Sequence, residues 1–105
     1  GIGNEKITRS VVIGSGGERF DWLCSNFSDL NVSHFAQLAD LNAELIIFGS
    51  GERIRFPRPA WIKPLIDKQT GIETMDTQAA CRTYNILAGE GRRVVVALLL
   101  EGSPG

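Results

Sequence analysis

The nine residues from Arg92 to Leu100, Arg-Arg-Val-Val-Val-Ala-Leu-Leu-Leu, constrain this chain more than any other stretch. Three adjacent valines lose rotamer freedom in a helix and suit a pleated surface, so the run reads as a strand. No polar residue interrupts it from Val94 to Leu100, which requires other layers on both of its faces. A second run, Glu44-Leu45-Ile46-Ile47-Phe48, has the same character and stops at Gly49-Ser50-Gly51; it reads as the central strand. Doubly covered strands separated by helical patterns define an α/β architecture. Neither run approaches the ~18 apolar residues of a membrane-spanning helix, so no membrane insertion is expected.

The remaining punctuation fills in the order. Ser10-Val11-Val12-Ile13 is a first short strand, ended by Gly14-Ser15-Gly16-Gly17. Asn31 caps a first helix whose Phe35, Leu38, Ala39 and Leu41 share a face. A short extension is predicted at Arg53-Ile54-Arg55-Phe56. Beyond Pro57 and Pro59, Trp61, Ile62, Leu65 and Ile66 recur at helical spacing up to Gly71, and Pro64 either starts this second helix or kinks it. Ile72 to Met75 is a further strand. Asp76 or Thr77 caps a third helix with the stripe Ala80, Tyr84, Leu87, ending near Gly89. Nothing interrupts this pattern with a repeat or linker, so residues 1–105 are expected to form a single domain.

Charge and cysteine content narrow the function. Eleven basic against twelve acidic residues leave a net charge of −1, which gives no reason to expect nucleic-acid binding and leaves weak self-association open. Two cysteines, Cys24 and Cys81, with no CxxC and a single histidine, fit neither a disulfide scaffold nor a zinc module; no metal or cofactor is expected. The opening residues Gly1 to Lys6 lack the features of a secretion signal, and the expected location is the cytoplasm.

The segment Met75-Asp76-Thr77-Gln78-Ala79-Ala80-Cys81-Arg82-Thr83-Tyr84-Asn85 resembles the signature of the Mth938-like family, a domain of unknown function. Leu45 to Gly51 followed by Arg55-Phe56-Pro57 resembles the family's apolar strand, Gly-x-Gly loop and downstream proline. The resemblance runs from Ser10 to about Leu100 and implies a three-layer α/β domain around a mixed β-sheet. It also implies relatives that are not known enzymes, among them a mitochondrial assembly factor for respiratory complex I and a vertebrate protein connected with adipocyte differentiation. Family members carry an N-terminal hairpin before the strand matching Ser10 to Ile13, and this chain is expected to lack it, leaving a sheet edge open.

Two functional readings follow. In the first, a non-enzymatic module binds an unidentified protein partner through Gln78, Arg82 and Asn85, which share the face of helix three away from its core side. In the second, Gly49, Ser50, Gly51, Arg53, Asp76 and Thr77 line a crevice for an anion or small molecule at the carboxyl ends of parallel strands, with Arg53, Arg55 and Arg82 as charges for an anionic group. The loop lacks the lysine of a P-loop and the third glycine of a dinucleotide fingerprint. Cys81 beside Arg82 is the one candidate reactive thiol, although a position a full turn inside the helix suits a core residue. His34 is expected on the surface, Glu73 and Asp76 form no acid–base pair, and Trp22 and Trp61 are expected in the core.

Overall fold

Side chains alternate along a strand, which divides the buried residues into two sets, and each set has its own helical layer. The computed structural model describes residues 7–101. Its elements are β1 (Val11–Gly14), β2 (Arg19–Asp21), α1 (Val32–Ala39), β3 (Leu45–Gly49), α2 (Lys63–Asp67), β4 (Gly71–Met75), α3 (Thr77–Gly89) and β5 (Val94–Leu98), with a 3-10 turn at Phe27–Asp29. The strands form one mixed sheet ordered β2-β1-β5-β3-β4. β1 is antiparallel to both β2 and β5, whereas β3 is parallel to both β5 and β4.

On one face Val12, Ile46, Phe48, Val95, Ala97 and Leu99 pack with Phe35 and Leu38 of α1 and Leu65 of α2. On the other, Val11, Ile13, Ile47, Val94, Val96 and Leu98 pack with Ala80 and Tyr84 of α3. The result is the three-layer α/β domain implied by the resemblance. All five residues of β5 are fully buried, each large side chain contributing about 1.5–3 kcal/mol. Trp22 completes the α1 side, meeting Phe35 and Phe48 edge-on at 5.8 and 5.9 Å. Both helix caps form: the Asn31 side chain accepts from the Ser33 N–H at 2.8 Å, and Asp76 Oδ1 accepts from the Ala79 N–H at 2.9 Å.

Two expectations need revision, one open alternative is decided and one strand was missed. The middle of the sheet belongs to β5, because β1 and β3 flank it, and β3 is one position off centre. Arg53–Phe56 is a loop rather than a strand, since β3 already has β4 and β5 on its two edges. The second helix is a short one with Pro64 in its first turn, where a missing N–H costs nothing, so there is no kink. β2 was not anticipated; it forms a hairpin with β1, pairing Asp21 with Val11. The expected loss of an N-terminal hairpin concerns positions up to Lys6, which lie outside the described residues. Among the described residues no helix is long and apolar enough to cross a membrane.

Candidate functional site

Three parallel strands bring their carboxyl ends together, and the loops that follow them build the candidate site. The loop after β3 begins at Gly49, where a Cβ would lie 2.8 Å from Leu98 Cδ2 and 3.0 Å from Ala80 Cβ. α3 therefore rests on bare backbone. Ser50 is fully buried; its N–H donates to Met75 O at 2.9 Å, its hydroxyl donates to Arg53 O at 2.8 Å and accepts from the Arg55 N–H at 2.8 Å. Gly51 turns with a φ of +108°, a backbone state that glycine tolerates. Its N–H and carbonyl both meet Thr77, the first residue of α3.

Arg55 fastens this loop to the end of the chain. Its guanidinium donates to Ser50 O at 3.0 Å, pairs with the Glu101 carboxylate and lies 4.8 Å from the centre of the Phe27 ring. The other Glu101 oxygen accepts from the Phe27 N–H at 3.2 Å. The hydrogen bond from Arg55 is the main reason that the Glu101 carboxyl titrates below its ordinary value. Glu101 and Phe27 escaped the sequence reading because their contacts join segments far apart in the chain, and Arg55, expected as a charge for an anionic group, is instead engaged by Ser50 O, Glu101 and Phe27. Arg53, by contrast, is exposed and takes part in no ion pair among the described residues.

An open depression at this end is lined by Gly51, Arg53, Asp76 and Thr77, together with Gln78, Trp22 and Leu23. Gly49 and Ser50 do not line it; both are buried, the first under α3 and the second with its polar atoms bonded to Met75, Arg53 and Arg55. The outward face of α3 carries Gln78 and Arg82 exposed and Asn85 half-buried. Ile86, 61% exposed and one turn beyond Arg82, belongs to the same face. The sequence reading passed over it, although an isoleucine among polar neighbours on the helix side away from Tyr84 was the available signal.

Cys81 is half-buried against the α3 core, and burial pushes its thiol up rather than down. His34 lies in the α1 layer and Cys81 in the α3 layer, so the sheet separates them and no Cys–His pair forms. His34 itself is half-buried rather than a surface side chain. Its Nδ1 accepts from the Asn31 N–H at 3.2 Å, which assigns the proton to Nε2, 2.9 Å from Leu23 O, and its ring meets Trp22 edge-on. The histidine braces the loop between β2 and α1. Among the described residues no group of three His, Cys, Asp or Glu side chains is placed to hold a metal.

This sheet order, with one helix on one face and two on the other, defines a Mth938-like domain, the class under which the solution structure of a Bordetella pertussis protein is described. The family profile described as protein of unknown function (DUF498/DUF598) matches residues 1–99, and the chain belongs to that family. The Bordetella pertussis structure is 33% identical over 90% of this chain and 75% of that one, with a TM-score of 0.80. A crystal structure from Bordetella parapertussis is 40% identical over 90% of this chain and 81% of that one, with a TM-score of 0.83. Among curated proteins, NADH dehydrogenase (ubiquinone) 1 alpha subcomplex assembly factor 3 of Xenopus tropicalis is 30% identical over 81 residues, 75% of this chain and 44% of the relative. The chain thus spans less than half the length of that relative.

Proposed function

We propose that this domain is a protein-binding module that helps assemble a larger complex, and that it meets its partner through the outward face of α3. The observation that carries this reading is the pairing of Arg82, which has no ion-pair partner among the described residues, with the exposed Ile86 one turn away. Arginine is enriched at interfaces, the exposed Ile86 adds apolar contact area beside it, and Gln78 and Asn85 supply amides that fix register. The assembly-factor name of the curated relatives supports the same reading at the level of the family. The breadth of the depression at the carboxyl ends also favours a macromolecule, since small-ligand pockets enclose most of their occupant.

The test is capture from native cells by the tagged full chain, read by quantitative mass spectrometry. The pair Arg82→Ala with Asn85→Ala should lower recovery of a near-stoichiometric partner about tenfold while leaving the melting temperature within a few degrees. Equal recovery by wild type and variant removes this face from the reading. A bound small molecule without any protein partner replaces the reading with the crevice alternative.

A further inference from the structure

The sheet ends on β4, which pairs with β3 on one side and with no strand among the described residues on the other. Two bonds fix which of its backbone groups are left over. The Gly71 N–H donates to Glu44 O at 3.2 Å, and Met75 O accepts from the Ser50 N–H at 2.9 Å. Along a parallel ladder alternate residues bond to the same neighbour, so Gly71, Glu73 and Met75 face β3, and the N–H and C=O groups of Ile72 and Thr74 face outward. Among the described residues nothing else bonds to those outward groups. Such a row is a template for a further strand. At its middle stands Glu73, exposed, on the same side of the sheet as Ile47 and α3, and in no ion pair among the described residues.

The charge along this strand is negative. Glu73 and Asp76 are the only charged residues between Lys68 and Arg82; Asp76 keeps its charge while capping α3, and Lys68 is turned to Asp40 and to Ala39 O at the end of α1. That charge discriminates between a second copy of the chain and another protein. Two copies joined edge to edge by a two-fold axis pair antiparallel. The register that uses every outward group sets Ile72 against Thr74 of the other copy, and it places Glu73 directly against Glu73 in the pair type that brings side chains closest. Moving the axis to Ile72 requires the Thr70 N–H, which already donates to Leu65 O at 2.9 Å. Moving it to Thr74 requires the strand to run on through Asp76, whose carbonyl already accepts the Ala80 N–H at 2.9 Å as α3 begins. The edge is therefore open to a strand and guarded against its own copy.

We infer that β4 takes an extended segment of a protein partner as a further strand of the sheet, with a Lys or Arg opposite Glu73 and apolar or β-branched residues opposite Ile72 and Thr74. The inference rests on the partner-binding reading above but uses a different surface, so the two can fail separately. The experiment selects a displayed library of random peptides on the full chain and on its Glu73→Lys variant, then follows amide hydrogen exchange with the enriched peptide in synthetic form. The unaltered chain should enrich alternating β-branched sequences with one basic residue at a fixed place, and Glu73→Lys should enrich an acidic residue there. Bound peptide should protect the Ile72 and Thr74 amides, which exchange freely without it. Reversing either charge alone should lower affinity about fivefold, and reversing both should restore it. Thr74→Pro deletes an outward donor and spares the bonds to β3; it should lower affinity about tenfold with the melting temperature within a few degrees. No enrichment, or a fixed place whose charge does not follow position 73, overturns the inference. Protection of Ile72 and Thr74 that rises with protein concentration alone overturns it in favour of a second copy. Peptides that bind Thr74→Pro as well as the unaltered chain, but are lost with Arg82→Ala and Asn85→Ala, overturn it and support the α3 face; the opposite pattern upholds it against that face.

Discussion

Gly51 and Thr77 hold each other by two reciprocal hydrogen bonds, the Gly51 N–H donating to Thr77 Oγ1 at 3.1 Å and the Thr77 N–H donating to Gly51 O at 2.9 Å. The clasp joins the loop after β3 to the start of α3. It satisfies one of the N–H groups that every helix start leaves without an internal partner. Gly51→Val should destabilise the domain by about 1–3 kcal/mol, because its φ of +108° is strained for any side chain and a Cβ would come within 3.3 Å of the Arg55 guanidinium. Thr77→Val should cost about 1 kcal/mol. Urea unfolding of the two variants checks the order; a valine at 51 that costs no more than the one at 77 contradicts the strain argument.

Gly49 gives a sharper test of packing. Gly49→Ala places a methyl group against Leu98 and Ala80, an overpacking expected to cost about 1–3 kcal/mol. Ala80→Gly alone should cost about 1 kcal/mol in helix propensity. Combining them relieves one of the two clashes, so the double variant should be more stable than the sum of the single changes. Strict additivity in the cycle means that α3 does not rest on Gly49.

The acid limb of stability should carry two carboxylates. The Arg55 hydrogen bond holds Glu101 below its ordinary 4.5 despite some opposing burial. For Glu18 burial is the largest single influence and acts upward, yet the hydrogen bond and charge of Arg93, with backbone donors, bring the net value below 4.5 as well. A depressed folded pKa contributes stability that is complete above the unfolded value and is lost as pH falls through the folded one. Melting temperature should therefore hold level from neutrality down to about pH 5 and fall below about 4.5. Glu101→Gln should shrink that fall. An identical acid limb in wild type and variant excludes Glu101 from it.

Neither thiol should be reactive. Burial raises Cys24 to about 11 and moves Cys81 upward as well. For Cys24 the thiolate fraction at pH 8 is lower than that of a free cysteine by on the order of a hundredfold. Labelling by an aromatic disulfide reagent should be correspondingly slow for Cys24, slowed to a lesser degree for Cys81, and fast for both in urea. Rapid labelling of Cys81 in the folded domain revives it as a nucleophile.

The elements that were legible in the sequence are those whose signal is local. β3 and β5 announce themselves by unbroken apolar runs, and α1 and α3 by a capping residue followed by an apolar stripe. β2 has only Phe20 half-buried between exposed Arg19 and Asp21, too little alternation to mark an edge strand. Arg53-Ile54-Arg55-Phe56 alternates well and is still a loop, because both edges of the adjoining β3 are already paired, which is not a property of those four residues. The same reasoning covers the site. Asp76, Thr77 and Gly51 were readable from capping and turn chemistry, whereas the inward turn of Arg55 depends on Glu101, forty-six positions away.

The strand order also bears on how such a chain meets the ribosome. Of the five strands in this sheet β5 comes last in chain order, and it is the one that joins the β1–β2 hairpin to the β3–β4 pair. Until it leaves the exit tunnel the nascent chain holds two half-sheets, each with a long apolar strand edge and no common core. Completion of the sheet is then a late event, and a chain halted before β5 keeps two unjoined strand edges that proteases and chaperones read as unfinished.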